Sequence, residues 1–185
     1  MSILHQIALT LIKGVGPMLA KNLLLHFGKA EVIFAASKSQ LLQVDGIGEK
    51  TANAVLHSNA LHLAAQQLDF INKNKIDVLA YTDKNYPQRL KNCYDAPLLL
   101  YYKGTANLNQ QRIVSIVGTR KATAYGKQLC KQLVAALQPY GVLVISGLAY
   151  GIDAIAHKES LNYQIPTVGC WGMAWIGFTR PYIRN

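Results

Sequence analysis

The chain has 185 residues, is 51% hydrophobic and 15% charged, and sets 19 Lys+Arg against 9 Asp+Glu for a formal net charge of +10. That composition excludes a disordered chain, leaves room for one ordinary domain plus a small one, and favours a polyanion partner, since each phosphate neutralised by a cation releases counterions. No apolar run approaches the ~20 residues of a membrane span. Cys93, Cys130 and Cys170 are widely separated and fit neither a disulfide framework nor a zinc site. The segment Met1–Gln6 has no basic stretch ahead of a long apolar core, so a cytoplasmic location is expected.

The first part of the chain reads as helical, with helices expected over about 2–13, 17–27, 30–36, 38–43, 49–57 and 59–74. Within it lies a repeat. Residues 12–24 read IKGVGPMLAKNLL and residues 44–56 read VDGIGEKTANAVL, so Gly14 aligns with Gly46 and Gly16 with Gly48. Apolar-x-Gly-apolar-Gly before a helix resembles the helix-hairpin-helix motif, here in tandem. Backbone N–H groups of such a hairpin can face a DNA phosphate without reading base sequence. The competing reading is a helical module that uses its hairpins only to turn and pack. Lys13 and Lys21 flank the first hairpin, whereas Asp45 and Glu49 flank the second. Lys13, Gly14 and Gly16 are therefore the better candidates for a secondary phosphate contact. In the last helix Leu61, Leu63, Ala64, Leu68 and Ile71 recur close to helical periodicity.

The second part alternates strands and helices. Strands are expected at Ile76–Tyr81, Pro97–Gly104, Arg112–Val117 (buried), Val142–Ile145 and from Ile165 to Gly169. Helices are expected at Ala124–Leu137, with Leu129, Leu133, Ala136 and Leu137 on one side, and at Ile152–Leu161. This order implies right-handed crossovers, a parallel sheet, and a ligand at the carboxyl ends of its strands. Gly118, Thr119, Arg120, Ser146, Gly147 and Gly151 gather there. Arg120 can grip a phosphate bidentately. The backbone of Gly118 and Gly147 and the hydroxyls of Thr119 and Ser146 are candidate donors. Asp153 is expected to cap its helix and His157 to be structural. Tyr125 is a candidate stacking surface for a nucleic-acid base, or else packs beneath the turn. No nucleophile–base pair, metal-binding motif or P-loop stands out, so a binding protein fits better than an enzyme.

Four motifs stand in order: YPxxL (Tyr86 to Leu90), PxLLYYKG (Pro97 to Gly104), IVGTRxxTxYG (Ile116 to Gly126) and SGLAxGIDxxAH (Ser146 to His157). With them the chain resembles the DNA-processing protein A (DprA, Smf) family. The resemblance implies a small all-α helix-hairpin-helix (SAM-like) domain over 1–74, then an α/β domain over 75–169 with a Rossmann-like parallel sheet, incomplete at its C-terminus. It implies binding of single-stranded DNA, protection of incoming strands in natural transformation and loading of the RecA recombinase, with no cofactor and no catalysis. The family's phosphate-contacting arginine matches Arg120, and its loop glycines match Gly147 and Gly151. Tyr150 departs from the basic or small residue expected there.

Residues 170–185, CWGMAWIGFTRPYIRN, break the pattern. Back-translated in a shifted frame, this stretch permits a family-like Val-Leu-Gly run ending in Ile-Tyr-Pro. It is therefore expected to be an out-of-frame tail. On that reading the family's self-association surface is missing and DNA binding is impaired, or the chain is a non-functional product. A further alternative is an enzyme on a related fold acting on nucleotide monophosphates.

Overall fold

A computed structural model of the chain describes residues 2–172. The α/β class and the helical N-terminal region are as the sequence suggests. The chain divides after Asn109 into two compact units. The boundary expected near residue 74 thus falls inside the first unit, and the expected tail lies almost wholly outside the described residues.

In the first unit, α1 (Ile3–Leu11), α2 (Pro17–Phe27), α3 (Ala30–Ala35), α4 (Lys38–Leu41), α5 (Glu49–His57) and α6 (Ala60–Lys73) precede β1 (Asp77–Ala80), α7 (Gln88–Lys91) and β2 (Leu99–Tyr102). Ile7, Ala8 and Leu9 are fully buried and α1 packs chiefly along α6. The two repeats fold alike. The Val15 N–H donates to the Ile12 carbonyl at 3.0 Å, and the Ile47 N–H to the Val44 carbonyl at 3.0 Å. Gly14 and Gly46 supply φ of 89° and 81°, a region side-chain-bearing residues avoid. Gly16 and Gly48 then open α2 and α5.

On α6 the buried stripe is Ala60, Ala64 and Ile71, while Leu61 and Leu63, two of the periodic apolar positions, are exposed. Steps of four and seven residues keep Ala60, Ala64 and Ile71 in one line, and the two leucines fall off it. β1 and β2 pair antiparallel, Val78 opposite Tyr101, as a ribbon separate from the main sheet.

The second unit holds β3 (Ile113–Ser115), α8 (Ala124–Leu137), β4 (Leu143–Gly147), α9 (Ile152–Asn162) and β5 (Thr167–Cys170). The strands form a parallel sheet in the order β3-β4-β5. Its core joins Ile116, Val142, Val144 and Ile165 to Cys130 and Val134 of α8 and Ala156 of α9. β3 is shorter and more exposed than expected, with Val117 76% exposed, because among the described residues it pairs only with β4 and forms an edge. On α8 the inward line is Cys130, Val134 and, in part, Leu137. Leu129 and Leu133, expected inside, are about half exposed at 50% and 46%. Two apolar stripes run along this helix, and periodicity alone does not rank them.

Candidate functional site

The candidate residues sit on two turns at the carboxyl edge of the sheet, one after β3 and one after β4. The start of α9 locks the turns together. Gly151, at φ 88°, lies directly against the Thr119 and Arg120 carbonyls, and a Cβ there would collide with the Thr119 oxygen. The Ile152 N–H donates to that same oxygen at 3.2 Å. Gly118 faces Ile152, whose Cβ would lie 2.7 Å from an added Cβ. Gly147 faces Asp153, whose Oδ2 would lie 2.5 Å from one. All three glycines are thus required by the docking of α9, before any ligand is considered.

Several expected donors are committed inside the protein. The Gly118 N–H donates to Asp153 Oδ1 at 3.4 Å. Asp153 is buried and stands in the first turn of α9. Its carboxylate reaches across to the turn after β3, which corrects the expectation of a simple cap. Ser146 is 2% exposed and its hydroxyl donates to the Ile116 carbonyl at 2.6 Å. That hydroxyl straps β4 to β3 and does not face outward as expected. His157 is structural, as expected: Nε2 lies 2.9 Å from the Gly147 carbonyl and Nδ1 2.8 Å from Thr167 Oγ1. A carbonyl only accepts, so Nε2 carries the proton in that bond.

What remains exposed is Thr119, Arg120 and Lys121, followed by Tyr125, which is 76% exposed. Thr119 Oγ1 accepts from the Lys121 N–H at 3.2 Å and closes the turn, leaving its own proton free to donate. Thr123 caps α8 by accepting from the Gly126 N–H at 3.1 Å. Between α8 and α9 lies an open cavity of about 440 Å³ whose lining includes Lys127, Gln128, Lys131, Lys158 and Glu159. The Lys131–Glu159 ion pair, 3.9 Å, cancels one of those charges. The edge therefore presents a pre-formed arginine turn, a free aromatic ring and a net excess of cations. Sequence reasoning took His157 as structural without its partners and missed Asp153 and Ser146 as inward clamps. Their partners lie on other elements, and only the strand register reveals them.

The first hairpin is the more open of the two. Nothing lies within 4 Å of a Cβ placed at Gly14 or Gly16, whereas one at Gly46 would meet Leu19 Cδ2 of α2 at 2.8 Å. Asn22 of α2 also donates to the Asp45 carbonyl at 3.3 Å. The second hairpin is thus docked on the helix that leaves the first, and its Glu49 pairs with Lys38. Lys13 beside the first hairpin is exposed. No group of His, Cys, Asp and Glu among the described residues is arranged to hold a metal. No described helix is long and apolar enough to cross a membrane.

Residues 77–181 match the family described as DNA recombination-mediator protein A, and residues 7–57 match the SAM-like helix-hairpin-helix tandem. The chain belongs to the DNA recombination-mediator protein A family. The matched span runs past Gly169, where the motif resemblance ends, to residue 181. Protein Smf of Synechocystis is 32% identical over 172 residues, covering 91% of this chain and 43% of that protein. DNA processing protein DprA of Bacillus subtilis is 40% identical over 95 residues, 51% of this chain and 32% of that protein. The chain thus spans less than half the length of these relatives. The X-ray structure of DNA processing protein A from Streptococcus pneumoniae shares the fold, with a TM-score of 0.57 and 21% identity over 91% of this chain and 57% of that one.

Proposed function

We propose that this family member processes DNA by binding single strands without base preference, and that it serves natural transformation in the cytoplasm by protecting incoming strands and delivering them to the RecA recombinase. The observation that carries the proposal is the clamped Thr119–Arg120 turn. α9 holds its backbone through Gly151 and the Ile152 N–H while the Arg120 side chain stays exposed. A rigid turn that offers a free guanidinium suits a phosphodiester. Tyr125 adds a ring on which any base can stack. The glycines of the SGLAxGID loop, Gly147 and Gly151, act by holding the turn in place. Lys13, Gly14 and Gly16 of the first hairpin add a secondary backbone contact.

The role needs no cofactor and no catalytic group. The experiment is competition: a labelled single-stranded oligonucleotide is displaced by unlabelled single strand, duplex or mononucleotide, and RecA filament growth on coated strands is followed separately. Displacement by single strands and faster filament growth are expected. Displacement by mononucleotide at comparable phosphate concentration, with turnover, contradicts the reading and favours a nucleotide-processing enzyme.

A further inference from the structure

Lys21 and Lys91 come from different elements of the first unit and end on one ring. Lys21 Nζ lies 4.4 Å from the centroid of Tyr81 and Lys91 Nζ lies 5.0 Å from it. Tyr81 is held edge-on to Tyr86 at 5.6 Å, and Tyr86, fully buried, donates its hydroxyl to the Pro97 carbonyl at 2.7 Å. The platform is therefore rigid. Lys21 also reaches the Tyr94 carbonyl at 3.5 Å, and Tyr94 itself is 77% exposed.

Neither lysine is in an ion pair among the described residues. Of the nearby acids, Asp83 accepts from the Ala80 N–H at 2.7 Å inside its own turn, and Asp95 is exposed beside Tyr94. A ring face attracts one cation, and a second cation on the same ring adds like-charge repulsion that an anion relieves.

We propose that this patch is a second contact for single-stranded nucleic acid, with a phosphodiester on Lys21 and Lys91 and an unpaired base stacked on Tyr94. Its ligand class rests on the function proposed above, but its residues belong to the other unit. An unpaired base is required because a duplex offers Tyr94 no free base face. Lys21 stands on α2, the helix that begins at the open first hairpin, so a strand leaving that hairpin would continue onto the patch.

Two native thiols separate the two ideas. Cys93 is exposed next to Tyr94, and Cys170 is exposed opposite Gly147 at the edge of the sheet. The experiment is alkylation of the unmodified protein by N-ethylmaleimide, with and without a polythymidine oligonucleotide, read by peptide mass spectrometry. A several-fold slowing at Cys93 is expected. It should be lost in the Lys21→Gln/Lys91→Gln variant and reduced in Tyr94→Ala, whose ring is outside the core, while slowing at Cys170 persists in both. Slowing at Cys170 alone overturns the second contact and leaves the proposed function standing. Slowing at Cys93 alone supports the second contact and contradicts the Arg120 edge as the main site. Slowing at neither, or stronger slowing of Cys93 by duplex than by single strand, overturns the second contact.

Discussion

Asp153 Oδ1 accepts the Gly118 backbone N–H at 3.4 Å and so ties the turn after β3 to the first turn of α9. The carboxylate is buried, and Gly147 leaves it the space to be there. Removing it leaves a peptide N–H without its partner. Asp153→Ala should lower stability by about 1–3 kcal/mol in urea unfolding and weaken DNA binding, because the Arg120 turn loses a tether. Asp153→Asn keeps an acceptor oxygen and should recover most of the stability.

Gly151 is the least replaceable position of the edge. Its φ of 88° and its contact with the Thr119 carbonyl leave no room for a methyl group. Gly151→Ala should cost at least about 2 kcal/mol, by strain and by displacement of the turn, and thermal unfolding measures it. Binding should fall with it even though the residue carries no side chain to offer.

Gly16 behaves in the opposite way. It has φ of −83° and open space where a Cβ would stand, so Gly16→Ala meets no clash and should cost only about 1 kcal/mol, for the poorer N-cap of α2. If the first hairpin approaches a phosphate closely, the same change weakens DNA binding with the fold intact. Gly48→Ala, in the docked hairpin, is the matched control and should leave binding unchanged.

Tyr86 sets an alkaline limit. Burial pushes its phenol from 10.0 up to about 12. The folded state therefore binds this proton more tightly than the unfolded chain does. The resulting stability is complete below pH 10 and is lost as pH rises from about 10 to about 12. Unfolding midpoints measured across that window should fall, and Tyr86→Phe should flatten the decline while costing about 1 kcal/mol at neutral pH for the lost bond to Pro97.

The features legible in the sequence were those with a local cause. Gly14 and Gly46 announce positive φ, and Gly16 and Gly48 announce helix starts, so the tandem hairpin is readable from spacing. The β-branched runs around Ile113 and Val144 announce the parallel sheet. What stayed hidden depends on long-range register. In the sequence Ser146 looks like an outward donor, Asp153 like a helix cap and His157 like a structural group with no named partner. They turn inward because Ile116, Gly118 and Thr167 stand opposite them. The buried side of α8 was equally hidden, because Leu129 and Leu133 repeat as regularly as Cys130 and Val134.

Arg120 offers the most direct measurement. It is exposed, so Arg120→Ala should keep the melting temperature of the parent. Fluorescence anisotropy with a labelled polythymidine strand, repeated over a range of salt concentrations, compares the two proteins. The account predicts binding to single strands that falls steeply with salt. In the variant, affinity should drop about tenfold or more and the salt slope by about 0.7 for the lost charge. Equal affinity and equal slope in the variant, or binding indifferent to salt, would contradict it.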